Sequence, residues 1–189
     1  MWYNRIEVIH VGEIKRHYYS SGSIKSEEFI IDGFYHRENE PAIIYYYESG
    51  NIKKEVYYKN GELHRLDGPA IIYYYESGNI LKEVYYKDGK PHRLEGPAII
   101  WYNTDGVIEK EDYYKNGKLH RKDRPAIIYY YESGNILKEV YYKDGKPHKI
   151  DGPAKIWYYK NGTIEKKEYW IDGKYYENIL QWMVGVGSY

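Results

Sequence analysis

The stretch PAIIYYYESGNIKKEVYYKNGELHRLDG, Pro41 to Gly68, decides the fold, because Pro69-Ala70-Ile71-Ile72-Tyr73-Tyr74-Tyr75 starts it again. Ala42 to Tyr47 is a short apolar and aromatic run, which reads as a strand. Glu48-Ser49-Gly50 follows as a three-residue hairpin loop with its glycine in the left-handed third position. Ile52 to Tyr58 is the returning strand. Lys59-Asn60-Gly61 reads as a second turn of the same type, and Glu62 to Arg65 as a short further strand. Leu66-Asp67-Gly68-Pro69 then ends the pairing, since proline donates no ladder hydrogen bond. Gly and Pro interrupt the chain too often for helices of normal length. Strands joined by such short turns make an antiparallel meander.

The period of this stretch, twenty-eight residues, runs almost end to end. It carries Pro41, Pro69, Pro97, Pro125 and Pro153, and it carries His36, His64, His92, His120 and His148. Two glycine series keep the same step, one through Gly50 and Gly78, the other through Gly61 and Gly89. A strict period of this length marks one supersecondary unit stacked many times. The expected fold is therefore all-β: an elongated, twisted antiparallel meander of stacked β-hairpin repeats, solenoid-like, in a single repeat domain spanning 1–189. Residues 1–13 form an N-terminal partial unit, with Met1-Trp2-Tyr3-Asn4 in register with Tyr57-Tyr58-Lys59-Asn60. Residues 14–176 are the repeats, and 177–189 a C-terminal cap. The apolar run Ile179 to Val186 is too short to span a bilayer and is expected to be a cap strand.

Three-residue turns imply a definite register. Tyr47 then faces Asn51 and Tyr46 faces Ile52, so Ala42, Ile44, Tyr46, Ile52 and Val56 share the main buried face. Ile43, Tyr45, Tyr47, Lys53, Glu55 and Tyr57 share a wetter aromatic face. Around Gly61 the same turn sets Glu55 opposite Arg65, and likewise Glu83 opposite Arg93 and Glu111 opposite Arg121. A two-residue turn would oppose Lys87 to Lys90 and Lys115 to Lys118, and like charges directly opposite are unfavourable. Because the first strand is apolar on both sides, the second face calls for some cover as well.

Lysine plus arginine equals aspartate plus glutamate, 28 each. No basic excess points to nucleic acid, and no polybasic run points to a lipid surface. Neither partner is expected. The chain has no cysteine, so disulfides and thiolate metal sites are excluded. The first residues show no apolar leader. The expected location is cytoplasmic, meaning host cytoplasm or virion if the protein is viral.

Tyrosine is the compositional outlier, with 28 of 189 residues, and it favours pleated, half-buried surfaces. Tyr46, Tyr74, Tyr102 and Tyr130 never vary in type and are expected to form structural ladders between units. Their neighbours Tyr45, Tyr73, Trp101, Tyr129 and Trp157 are always aromatic and form the candidate binding surface. Gly50, Gly61, Gly78 and Gly89 are expected to serve the turns, His64 and His92 to hold turns by hydrogen bonds, and Pro69 and Pro97 to separate units. Equivalent histidines lie about 10 Å apart if each unit adds two strands, too far to share a metal. No cofactor, metal or catalytic residue is expected: there is no phosphate loop, serine elbow or cysteine nucleophile. The most altered turn, Asn103-Thr104-Asp105-Gly106, reads as ordinary turn chemistry, and no unit stands out as carrying a special pocket.

Tyr57-Tyr58-Lys59-Asn60-Gly61-Glu62-Leu63-His64, followed by Gly68-Pro69-Ala70, resembles the membrane occupation and recognition nexus (MORN) repeat. The unit is similar to a longer variant, with Arg65-Leu66-Asp67 inserted before the glycine, of the kind abundant in giant DNA viruses and some bacteria. The resemblance spans roughly residues 14–176. It implies stacked hairpins serving as a non-catalytic scaffold for protein–protein interaction or assembly. Two other functions fit the same residues: a self-assembling filament or virion component, and a glycan-binding aromatic surface.

Overall fold

The computed structural model describes residues 12–87 and 89–187. Most of the expected partial unit 1–13 lies outside the described residues. The protein is an antiparallel sheet of fourteen strands, thirteen in one file, with the short strand Phe34–Tyr35 attached beside Ile24–Ile31. It does not close into a barrel. Each repeat gives the sheet two strands, as in Ile43–Tyr46 with Ile52–Val56 and then Ile71–Tyr74 with Ile80–Val84. The chain then leaves the sheet for a two-stranded hairpin, such as Tyr58–Lys59 with Glu62–Leu63, before the next repeat begins. These small hairpins make a second file. The Gly117 N–H donates to the Pro91 carbonyl at 3.2 Å, Gly145 to Leu119 at 2.9 Å, and Gly173 to Pro147 at 3.0 Å.

The first turn of each repeat has the expected form. Tyr47 N–H donates to the Asn51 carbonyl at 2.8 Å, Tyr46 pairs with Ile52, and Gly50 sits at φ 90°. The second turn does not. Asn60 at φ 50° and Gly61 at φ 80° are both left-handed, the mark of a two-residue type I′ turn. Lys87 therefore does oppose Lys90, as Lys115 opposes Lys118 and Lys143 opposes Lys146. These lysines are all exposed, so water and salt screen the repulsion. The demand of an Asn-Gly or Asp-Gly turn outweighs it.

The expected assignment of faces is also corrected. Tyr45 pairs with Lys54 but Tyr46 with Ile52, which leaves Lys53 as an extra, bulged residue. The same shift recurs at Tyr73/Tyr74, Trp101/Tyr102, Tyr129/Tyr130 and Trp157/Tyr158. A β-bulge opposes two residues to one, and a one-residue slip exchanges the faces beyond it. Val56 therefore lies with Ile43, not Ile44, and Glu55 lies with Ile44.

Both faces are partly covered. On the first, Ile43, Val56, Ile71 and Val84 form a buried row, packed on by Tyr58, Leu63 and Tyr86 of the small hairpins. On the second, Ile72, Ile100, Ile128 and Ile156 are buried in a row that alternates with glutamates. Fully burying an Ile or Val contributes about 1.5–3 kcal/mol. The few such residues in one repeat cannot offset the ordering of twenty-eight residues at about 1–2 kcal/mol each, so each repeat depends on its neighbours.

The cap is a helix rather than a strand. After Lys174–Tyr176 the chain forms the helix Ile179–Val186, capped by Asn178, whose side chain accepts from Gln181 N–H at 2.9 Å. Trp182 fixes it: its ring lies 5.3 Å from Tyr169 and its Nε1 donates to the Lys149 carbonyl at 3.3 Å. Gly185 packs so near Tyr176 that an added Cβ would lie 2.7 Å from the ring. The Asn178 cap and the seat for Trp182, not strand character, settle this segment.

Candidate functional site

The aromatic positions Tyr45, Tyr73, Trp101, Tyr129 and Trp157 fall in one row on the first face, and lysines alternate with them. Strand pairing sets Lys54 between Tyr45 and Tyr73, Lys82 between Tyr73 and Trp101, Lys110 between Trp101 and Tyr129, and Lys138 between Tyr129 and Trp157. The Lys82 ammonium lies 5.6 Å from the Tyr73 ring centre and 4.0 Å from that of Trp101. Lys138 lies 5.6 Å from Tyr129 and 4.4 Å from Trp157. These are cation–π distances. Burial pushes the pKa of Lys82 and of Lys138 down. The row is half-buried throughout from Tyr45 to Trp157. Its lysines were missed in the sequence, although Lys54, Lys82, Lys110, Lys138 and Lys166 hold the repeat period, broken only by Ser26 one step before Lys54.

The invariant tyrosines occupy the opposite face. Tyr46, Tyr74, Tyr102, Tyr130 and Tyr158 donate their hydroxyls to Glu27, Glu55, Glu83, Glu111 and Glu139, each bond crossing a repeat boundary at 2.7–3.0 Å. The rungs are hydrogen bonds between tyrosine and glutamate, not stacked rings. Burial, then the bond to Glu27, pushes the Tyr46 phenol up to about 12, and the other four are raised in the same way. Glu27 is held below its ordinary value by the Tyr46 hydroxyl and by Arg16. Arg65, expected opposite Glu55, instead covers the Tyr57 ring at 4.0 Å and donates to the Pro69 carbonyl at 3.4 Å. Arg93 and Arg121 do the same over Tyr85 and Tyr113, at 3.8 and 3.6 Å, with Pro97 and Pro125 as acceptors.

The histidines tie the small hairpins together. Nδ1 of His36, His92, His120 and His148 meets the backbone N–H of the left-handed turn residue one repeat on, Asn60, Asn116, Asp144 and Asp172. For His36, His120 and His148 the side-chain oxygen of that residue lies 2.7–3.2 Å from the same nitrogen. The turn residue that corresponds to His64 is residue 88, which lies outside the described residues. At the other edge, Tyr47 and Tyr75 donate their hydroxyls to the backbone carbonyls of Tyr74 and Tyr102, both at 2.8 Å. Asn51 and Asn79 add bonds to the Glu76 and Thr104 carbonyls.

One repeat departs from this regularity, contrary to the even array read from sequence. In residues 98–125, Asn103 and Val107 replace the tethering Tyr and Asn, and Asn103 bonds back to its own turn. Asp112 replaces the valine of the buried row and is 4% exposed. Its Oδ2 accepts from Lys110 Nζ at 2.9 Å, and the Trp101 indole N–H lies near the carboxylate and helps to hold its charge, although neither that N–H nor Oδ1 completes a hydrogen bond. Burial raises the Asp112 pKa against the pull of the Lys110 ammonium. Lys122 and Arg124 stand where the second repeat has Leu66 and Gly68.

Among the described residues no group of three or more His, Cys, Asp or Glu could hold a metal ion, and no helix is long and apolar enough to cross a membrane. No curated protein matches the chain. The family model described as MORN repeat variant matches residues 43–60, 71–88, 98–116 and 127–144. Each match takes in the two sheet strands of a repeat and at least the opening of its small hairpin. MORN repeats are in general protein- or membrane-interaction modules and are not an enzymatic family. The repeats between residues 43 and 144 are thus matched, four times over, by the MORN repeat variant.

Proposed function

We propose that the protein is a non-catalytic scaffold that binds a protein partner through the lysine–aromatic row of the first face. The observation that carries this reading is the unbroken alternation of Tyr45, Lys54, Tyr73, Lys82, Trp101, Lys110, Tyr129, Lys138 and Trp157 across nine neighbouring strands. Aromatic residues dominate protein interfaces, and a line of lysines selects a partner surface that carries carboxylates. The same geometry weighs against a glycan. Lysines flank Tyr73, Tyr129 and Trp157 from both adjoining strands, so a sugar stacking on these rings would have to displace an ammonium.

The test is affinity capture from the source lysate with three baits: the wild type, Trp101→Ala/Trp157→Ala, and Tyr102→Phe on the opposite face. The reading expects a partner held by the wild type and by Tyr102→Phe but released by the double variant. An identical set of captured proteins for all three baits, or turnover of a substrate, overturns it.

Self-association is a second reading, favoured by the C-terminal helix, where Leu180 is 72% and Met183 58% exposed. Sedimentation at rising concentration tests it. Growth of the particle that Leu180→Lys abolishes supports it, and a constant monomer removes it.

A further inference from the structure

Successive small hairpins and the loops that follow them enclose a pocket that recurs along the array. One instance, of about 240 Å³, is lined by Arg37, Tyr57, Tyr58, Lys59 and Arg65 but also by Glu38 and Asp67. Another, of about 450 Å³, contains Asp123 and Asp151 beside its cations. The pocket between these two differs. It has a volume of about 400 Å³ and is lined by Arg93, Lys115, Arg121, Lys122 and Arg124 with no carboxylate. Lys122 and Arg124 belong to the variant loop Arg121-Lys122-Asp123-Arg124-Pro125, which replaces the Arg-Leu-Asp-Gly-Pro of residues 65–69.

A second observation at this pocket is independent of the charge. His92 lines it and accepts the Asn116 N–H at Nδ1, so the imidazole proton sits on Nε2. That Nε2 is buried and has no hydrogen-bond partner. A buried donor left unpaired is unfavourable, and only a turn of the ring toward the pocket would let a ligand oxygen accept from it. Two of the cations are already held in place. Arg93 and Arg121 lie on the rings of Tyr85 and Tyr113, and each spends one nitrogen on a proline carbonyl. A guanidinium has five N–H donors in a fixed fork, so both retain donors for a ligand at little further ordering cost.

We propose that this pocket, between residues 92–96 and 120–124, binds a phosphate monoester dianion. Planar arginine forks match phosphate oxygens, and five cations without a carboxylate favour a dianion over a monoanion. The volume exceeds what a phosphate group needs, and Tyr113 and Tyr114 on its wall offer contact to the organic part of the ester. The site shares no residue with the lysine–aromatic row.

Calorimetric titration with inorganic phosphate and with O-phospho-L-tyrosine, at fixed ionic strength, tests the proposal. Both are expected to bind, and the phosphotyrosine more tightly if the tyrosine walls take part. Equal affinities assign the binding to the phosphate group alone. The variant Lys122→Leu/Arg124→Gly restores the loop chemistry of residues 65–69, which the fold already accommodates. It is expected to keep the circular dichroism and melting temperature of the wild type and to lose at least tenfold in affinity. Trp101→Ala, outside the pocket, is expected to bind the anion as the wild type does, which separates this site from the partner surface. Absence of binding by either probe, the same affinity in the double variant, or equally tight binding of chloride would overturn the assignment.

Discussion

The hydroxyl of Tyr74 donates to the carboxylate of Glu55 at 2.8 Å, and this bond joins one repeat to the next. It is one of five such rungs, and in four of them the glutamate lies between two isoleucines along its row, while Glu27 lies between Arg16 and Ile44. Tyr74→Phe removes the donor and leaves the Glu55 carboxylate half-covered. Hydrogen bonds to charged groups are worth about 1.5–3 kcal/mol, and partial exposure places this one at the low end. Urea denaturation is expected to show a lower midpoint for Tyr74→Phe with an unchanged slope. An unchanged midpoint would mean that the rungs are decoration.

The same rungs fix an alkaline limit. Tyr46 titrates near 12 in the fold and near 10 when unfolded. A raised folded value means that its contribution is complete below pH 10 and is lost as pH rises through 12. Ultraviolet titration is therefore expected to show a group of phenols that ionise well above the ordinary value of 10, together with loss of the sheet signal. Ionisation of every tyrosine near pH 10 with the sheet intact contradicts this.

Asp112 occupies a valine position in the buried row, and burial raises its pKa. For an acid with a raised folded pKa, stability is highest below the unfolded value and falls as pH rises through the folded one. Asp112→Val restores the residue of the neighbouring repeats and removes the charge. Removing one partner of a buried ion pair is ordinarily costly. Lys54, Lys82 and Lys138, however, each stand two residues before a valine in their own repeats, so the fold already accommodates a lysine at the Lys110 position without a carboxylate, and the variant loses only the buried charge. Thermal melts at pH 7 are expected to favour the variant, with the difference shrinking toward pH 4. A less stable variant at pH 7 would show that the Lys110–Asp112 pair is a net stabiliser.

Asn103 and Val107 leave one seam without the two tethers found at its neighbours. Hydrogen exchange is expected to be faster at the turn amides of residues 131–135 than at those of 75–79, although the two turns have the same sequence. Asn103→Tyr/Val107→Asn rebuilds both tethers at the loss of the local Asn103 bonds, for a net gain of about 1 kcal/mol. Equal exchange at the two turns removes the idea of a weak seam.

Much of the architecture was legible in the sequence because a period exposes it. The strands, the Gly50 turn and the stacking order follow from residues that recur at fixed spacing. The face assignment was not legible, since the bulge at Lys53 shows itself in the strand pairing and not in the residue type that is bulged. The second turn was misread because a cross-strand charge argument worth about 0.2–1 kcal/mol was set against the Asn60-Gly61 turn signal. The lysines of the candidate surface could have been read from their invariance, but only the bulge places Lys54 beside Tyr45 instead of Lys53. Asp112, Lys122 and Arg124 were visible as substitutions. Their meaning depends on which neighbours the sheet and the small hairpins bring to them.

The most direct test of the stacked array is to excise residues 70–97, which joins Pro69 to Ala98 in register, and to compare the product with the wild type by small-angle X-ray scattering. Each repeat adds two strands at about 4.8 Å apiece, so the account predicts a folded sheet protein whose longest dimension is about 10 Å shorter. An unfolded chain, or a folded one of unchanged length, would contradict it.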